Sequence, residues 1–429
     1  MIRRILNHYR ASYSGIPRKI WLLCLVIFVN RSGHMVLFFM MLYLTKDLNF
    51  TVTLAGELIS MYGLGALIGS YAGGWLSDKA GPLRIQKLSL IMNGIGFILL
   101  DFFYTPFMIG VLLFANAVVG EAFRPASTTA LAAFAPPELR SRVFALGRLA
   151  VNLGISIGPT VGGILALYNY SYLFWADGLT CLLAAFVLFY SFPGLKRFAE
   201  TPKQPAADKG VSPFKDRIYI FFVFIMLILS ITFFQLFNTW PLYMTESYNL
   251  AENMIGYLFA LNAVLIILFE MPLIHRLEKI NPLHIIAPGF LFIFAGFAML
   301  PLGNTFLYAS LTVIVWTTGE ILVFPLTTTF IANRAPDSVR GQYLGMYSLT
   351  FSLAFVIAPK AGTYIYGRWS PEHLWYGLGM LGIVAFLCLR VLMRLVYKEK
   401  TKKINDLLPA AVERGLNNMP ESAEYRSKG

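Results

Sequence analysis

The chain repeats itself at a constant spacing of 200 residues. The stretch Pro125-Ala-Ser-Thr-Thr-Ala-Leu-Ala-Ala-Phe-Ala-Pro136, followed by Arg140, returns as Pro325-Leu-Thr-Thr-Thr-Phe-Ile-Ala-Asn-Arg-Ala-Pro336, followed by Arg340. The same spacing joins Leu42-Tyr43-Leu44-Thr45 to Leu242-Tyr243-Met244-Thr245, and Asn49 and Gly56 to Asn249 and Gly256. It also joins Pro82-Leu83 to Pro282-Leu283, and Pro159 and Gly162 to Pro359 and Gly362. Two turns with similar breaker residues produce one such match by coincidence. Six matches at one spacing mean a duplicated half.

Composition says what the halves are made of. Hydrophobic residues are 57% of the chain and charged residues 13%, with a mean hydropathy of +0.64. Such a chain has lipid as its main solvent. Twelve apolar runs reach the roughly 20 residues that cross a bilayer, and backbone groups in lipid must be satisfied within each run, which makes the runs helices. The longest polar connection, 193–216, carries Pro193, Pro202, Pro205 and Pro213 and falls between the sixth and seventh runs. The expected fold is an all-α membrane protein of twelve transmembrane helices, two pseudo-symmetric six-helix halves around a central cavity. Residues 1–192 form the first half, 193–216 a linker, 217–397 the second half, and 398–429 a polar tail expected to lack fixed structure. In membranes, duplicated halves are the mark of alternating-access transport.

The net charge of +13 would suit nucleic acid, but the basic residues cluster at the ends of apolar runs. Arg3, Arg4, Arg10, Arg18 and Lys19 precede the first run without an acid, and later clusters fall on the same side if every run crosses once. That is the positive-inside pattern, with both termini cytoplasmic in a plasma (bacterial inner) membrane. Cys24, Cys181 and Cys388 lie inside apolar runs and read as small buried hydrophobes, with no disulfide or metal spacing. No Gly-x-x-x-x-Gly-Lys loop and no His-Glu-x-x-His cluster is present, so neither ATP drive nor an enzyme is expected. No cofactor or metal is expected either. The expected partners are the bilayer, protons and a small-molecule solute, taken by a monomer.

After the second run comes Gly74-Trp75-Leu76-Ser77-Asp78-Lys79-Ala80-Gly81-Pro82-Leu83-Arg84. Here the chain resembles the major facilitator superfamily, whose loop signature has Gly, then Asp four residues on, a basic residue, Gly and further basic residues. Gly74, Asp78, Lys79, Gly81 and Arg84 fit, while Pro82 and Leu83 stand where basic residues are usual. The resemblance implies that this loop packs the second span on the eleventh as a cytoplasmic latch. Gly74 would permit close helix approach. Gly154-Ile-Ser-Ile-Gly158-Pro159-Thr-Val-Gly162-Gly163 in the fifth run is similar to a pattern of proton-coupled exporters in that superfamily. Small residues every four positions also make a close-packing seam.

Ionisable residues in mid-span cost about 2.5–3.5 kcal/mol to insert and default to functional hypotheses. Glu121 and Arg124 in the fourth run have the spacing of a helical pair. Arg31 and His34 sit near the middle of the first run, and Glu320 follows Gly319 in the tenth. A lone carboxyl in a dry cavity holds its proton to higher pH than in water, as a proton carrier must. Glu320, Glu121 and His34 are therefore the proton-coupling candidates. Arg31, Arg124, Gln235, Asn238, Trp240, Tyr243 and Glu320 are the candidates for lining the substrate site. Glu57 and Asp177 lie near outer ends and are expected to reach headgroup water, and Lys360 wants a partner such as Glu320.

A finer resemblance runs to proton-coupled oligopeptide transporters. Arg31, Arg124-Pro125, Asn152-Leu153-Gly154 and Gly319-Glu320 are similar to that family's elements, but Ile27 and Asn30 replace its two first-span glutamates. The expected function is proton-coupled secondary transport of small organic solutes, as drug or metabolite antiport. The alternative is proton-driven uptake of di- and tripeptides or other zwitterions, with guanidinium groups for a carboxylate and Glu320 for an amine.

Overall fold

The computed structural model describes residues 15–136, 139–192, 211–277, 280–336 and 339–417. Among these the regular elements are all helical. The first span is Arg18–Ser32 and Val36–Leu42, extended by a wide turn to Asp47. The second is Val52–Ala80 and the third Pro82–Leu100. The fourth is Pro106–Gly120 with Phe123–Phe134, the fifth Arg140–Tyr168 and the sixth Ser171–Ser191. In the second half, the seventh joins Arg217–Phe233, a tight turn Phe234–Phe237, and Thr239–Glu246. Glu252–Leu277, Pro282–Ala298, Phe306–Arg334, Arg340–Arg368 and Pro371–Asn417 complete twelve. Eleven of the spans are long and apolar enough to cross a membrane, and the ninth, Pro282–Ala298, is a shorter apolar helix.

Helix starts follow local chemistry. Proline opens the helices at Pro82, Pro106 and Pro282, where its missing N–H costs nothing and its fixed φ suits the first turn. Thr51, Asp216, Asn281 and Thr305 accept the orphan N–H groups of Leu54, Tyr219, Leu283 and Tyr308. The duplication is visible in the backbone itself. Asn49 and Asn249 both adopt left-handed conformations, with φ of 55° and 52°. The turns around them match, Phe50 N–H donating to the Leu44 carbonyl at 2.9 Å and Leu250 to Met244 at 3.0 Å. The fifth and eleventh helices are each 29 residues long.

Three spans are interrupted in mid-course. The first breaks after Ser32, and the fully buried Asp177 of the sixth span caps the restart by accepting from the N–H groups of Met35 and Val36 at 3.0 Å. Asp177 thus lies in the protein interior, where burial is repaid by backbone donors, and not at headgroup water as expected. The fourth span breaks at Glu121–Ala122, and the seventh at Phe234–Asn238.

The halves meet along two seams related by the repeat. A Cβ on Gly56 of the second span would lie 2.8 Å from the Pro359 carbonyl oxygen of the eleventh. A Cβ on Gly256 of the eighth would lie 3.0 Å from that of Pro159 in the fifth. Both contacts sit away from the ends that carry the arginine- and lysine-rich turns, here termed the basic side. Around them residues 35–44 and 239–245 are buried, forming a plug. The Lys46 ammonium holds the Glu252 carboxylate across the halves at 2.8 Å, with the Tyr170 hydroxyl donating to the same oxygen at 2.9 Å.

On the basic side of the second half, Arg334 binds Asp216 through two hydrogen bonds of 2.6 and 2.7 Å and Glu399 at 3.0 Å. The twelfth helix does not stop at the membrane but runs to Asn417. Residues 398–417 are therefore helical where an irregular tail was expected; 418–429, like linker residues 193–210, lie outside the described residues.

Candidate functional site

Between the halves, below the plug, lies a two-lobed cavity. One lobe, of about 510 Å³, is lined from the first half by Arg31, His34, Tyr62, Glu121 and Arg124. The other, of about 440 Å³, is lined by Asn262, Glu270 and Glu320 of the second half and by Arg148 and Asn152 of the first. Phe38, Arg148, Ile155, Phe237 and Phe351 belong to both lobes, so the space is continuous. Arg124, Thr128, Phe144, Arg148 and Thr328 line it and are exposed, which opens the cavity on the basic side.

The interruptions put polar side chains into this space. At the break of the first span the Arg31 guanidinium donates to His34 Nε2. Arginine has no acceptor, so His34 accepts there and is a neutral imidazole in this arrangement. Arg31 Nε is buried without a hydrogen-bond partner. Glu121 occupies the break of the fourth span. Because that helix ends at Gly120 and restarts at Phe123, the expected pairing of Glu121 with Arg124 does not form among the described ion pairs. The Tyr62 hydroxyl donates to the Glu121 carboxylate at 3.4 Å instead.

Glu320 lies on an unbroken helix. Asn262 of the eighth span donates to its carboxylate at 2.8 Å and to the Thr317 hydroxyl at 3.0 Å. Among the described residues no cation lies within ion-pair distance of Glu320. Glu270 is within its electrostatic reach, and Arg148 of the other half is within that of Glu270. Lys360 is exposed on the eleventh span and is not the partner of Glu320; Glu57 is likewise exposed.

Four expected lining residues stand elsewhere. Gln235 is buried, donating to the Ala358 carbonyl at 3.0 Å and accepting from Thr239 at 2.7 Å, which ties the seventh span to the eleventh. Asn238 donates to the Phe234 carbonyl, Trp240 packs edge-on to Phe259, and Tyr243 packs among Tyr248 and Trp375. Trp240 and Tyr243 belong to the plug and Gln235 and Asn238 to the break just before it, and the seventh span faces the cavity with Phe233, Leu236 and Phe237. The amides of Gln235 and Asn238 bond the Ile231 and Phe234 carbonyls at the break, a role their composition does not distinguish from cavity lining.

In the loop motif, Gly81 turns the chain with φ of 91°, Lys79 places its ammonium 3.9 Å over the Trp75 ring, and Arg84 is exposed. Among the described residues a Cβ on Gly74 would meet only Pro125 of its own half, so the second span approaches the eleventh closely at Gly56 and Gly63 and not at Gly74. The Asp78 side chain lies outside the described residues. In the fifth span Gly154, Gly158 and Gly162 pack on the first span at Arg31, His34 and Met35, while Gly163 meets Gly256 across the halves. Pro159 lines the cavity.

The sequence reading left Tyr62, Arg148 and Asn262 out of the site and noted Asn152 only for its family resemblance. Tyr62 and Asn262 are polar residues among apolar neighbours, whereas Arg148, Asn152 and Ser156 recur every four residues on one face of the fifth span. Chemically, the site offers carboxylates to a cation or a proton on one wall, guanidinium groups to an anion on the other, and phenylalanine rings between.

Known proteins agree with this architecture. The family model of the Major Facilitator Superfamily matches residues 23–359 and 323–412. A Na+, Li+, K+/H+ antiporter of Planococcus maritimus is 25% identical over 390 residues, covering 83% of this chain and 89% of the relative. The multidrug resistance protein MdtH of Yersinia pestis (strain Pestoides F) is 22% identical over 318 residues, 73% and 78% of the two chains. Among solved structures, a peptide transporter POT in complex with alafosfalin superposes with a TM-score of 0.76 at 17% identity, covering 90% of this chain and 96% of that one. With the duplicated helices, the inter-half cavity and the family match in hand, the chain is a multi-pass integral membrane transporter for small molecules and belongs to the major facilitator superfamily.

Proposed function

We propose that this chain exports amphipathic organic cations in exchange for protons, by alternating access around the two-lobed cavity. The observation that carries the reading is Glu320, a carboxyl in the cavity wall with an amide donor and no cation at ion-pair distance among the described residues. Such a group binds either a proton or a cationic substrate but not both at once, and this competition is the condition for antiport. Glu270 adds a second carboxylate on the same wall, and Phe38, Phe237, Phe324 and Phe351 supply faces that attract cations and apolar bodies alike. The names of two relatives, a cation/proton antiporter and a multidrug resistance protein, support the same direction. The basic side faces the cytoplasm of a bacterial cell by its excess of lysine and arginine.

Proteoliposomes test this directly. A pH gradient should drive a lipophilic cation against its concentration in wild type. Glu320→Gln should lose that accumulation and also weaken exchange of the cation, because the amide mimics the protonated acid, to which the cation does not bind. Accumulation at wild-type level in Glu320→Gln would move the coupling to Glu270 or Glu121.

A second reading is favoured by the charge division of the cavity. Arg31 and Arg124 line one lobe, and Glu270 and Glu320 the other, so a zwitterion bridging both would be held at each end. Thermal stabilisation by dipeptides that vanishes in Arg124→Ala would install uptake of zwitterions, whereas stabilisation by cationic dyes that depends on Glu320 supports export.

A further inference from the structure

A third cavity, of about 890 Å³, lies away from the transport path, between the start of the ninth span and the twelfth helix on the basic side. Its polar lining includes Asn281, His284, Arg390, Arg394, Lys398 and Lys400. Arg390, Arg394 and Lys398 recur every four residues and therefore form one stripe along the helix. The single acid between residues 390 and 403, Glu399, is turned to Arg334. The cations of the stripe appear in none of the ion pairs among the described residues. The other wall is the start of the ninth helix, where Asn281 caps Leu283 and the helix dipole is positive. Leu283, Val391, Met393, Leu395 and Val396 supply its apolar lining.

The depth of this cavity fits one class of ligand. Arg390 stands 19 residues after Pro371, where the twelfth helix begins. At about 1.5 Å per residue that is roughly 30 Å along the axis, the thickness of a hydrocarbon core. The stripe thus starts at headgroup level in the leaflet of the basic side and leads away from it. Cations interleaved with apolar side chains from that level outward match a phosphate with the first acyl carbons beside it.

We propose that this cavity is a binding site for the headgroup of an anionic phospholipid. Arg390 and Arg394 hold the phosphodiester, and Lys398 and Lys400 contact a second anionic group or neighbouring headgroups. The ligand would fasten the twelfth helix to the ninth span at the membrane boundary.

Native mass spectrometry of the full chain, delipidated in neutral detergent and titrated with phosphatidylglycerol or phosphatidylcholine, tests it. Wild type should take up phosphatidylglycerol at lower concentration than phosphatidylcholine. The double variant Arg390→Gln/Arg394→Gln should bind phosphatidylglycerol roughly thirtyfold more weakly, since each interfacial cation contributes about a factor of five. Its phosphatidylcholine uptake and unfolding temperature should not change. Lys398→Gln/Lys400→Gln, placed on the helix beyond the bilayer, provides a second variant that leaves the bundle untouched and should also weaken the anionic lipid. Equal phosphatidylglycerol binding in wild type and both variants would overturn the proposal. Displacement of the lipid by millimolar inorganic phosphate would also overturn it, by making the cavity a soluble-phosphate site.

Discussion

At the scale of the residue, two aspartates hold broken or starting helices in place. Asp177 accepts from two backbone N–H groups at the break of the first span and is fully buried. Asp177→Ala strands both donors without water, which should cost about 2–4 kcal/mol, seen as a lowered unfolding temperature in detergent. Asp177→Asn keeps an acceptor oxygen and should recover part of the loss; wild-type stability of Asp177→Ala would remove the capping role. Asp216 lies outside the membrane at the start of the seventh span. Burial alone would raise its carboxyl, but the hydrogen bonds from Arg334, the Tyr219 N–H and the Tyr343 hydroxyl outweigh it and hold the group below its ordinary value of 3.8. A group held lower in the folded chain stabilises it above the ordinary value, and this contribution is lost as pH falls through the folded value. Acidification below about pH 4 should therefore lower the unfolding temperature of wild type more than that of Asp216→Asn. Equal acid sensitivity would show that the Arg334 cluster adds nothing.

At the scale of the element, the sequence located the spans well and their interruptions poorly. Apolar runs fix helix starts to within a few residues, so runs expected from 84, 106 and 283 begin at Pro82, Pro106 and Pro282. The repeat located the matching turns at Asn49 and Asn249. The breaks at Gly33, Glu121 and Asn238 depend on partners distant in sequence, such as Asp177, and local pattern does not contain them. A polar residue inside an apolar run signals either a cavity or a break, and Gln235 and Asn238 proved to serve the break. Gly65, Gly69 and Gly73 recur every four residues and seat the second span on the fourth at Phe114, Val118 and Ala122. That stripe was in the sequence, while its partner span was not. Charge sign by half was legible for Arg31, Arg124 and Glu320, all of which line the cavity. Arg148 and Asn262 became visible only once the fifth and eighth spans were placed side by side.

At the scale of the whole molecule, the seams Gly56–Pro359 and Gly256–Pro159 keep the plug shut while the basic side is open. A larger side chain at Gly256 meets the fifth-span backbone directly. Gly256→Leu should penalise this state by about 1–3 kcal/mol and shift the population towards the arrangement open on the plug side. A cysteine at Leu42, in a chain lacking the three native cysteines, should then react about tenfold faster with an impermeant maleimide added from the plug side, because each 1.4 kcal/mol is a factor of ten. An unchanged rate in folded protein would mean that the seam does not control closure.

The twelfth helix carries a mechanical consequence. Its 47 residues make a rod of about 70 Å, of which some 30 Å lie in the bilayer. The rest projects from the second half as a lever, braced near its root by Glu399 against Arg334. A lever converts a small rotation at its fulcrum into a displacement that grows with its length. Any rotation of the second half is therefore magnified at the tip, where it sweeps the water beside the membrane.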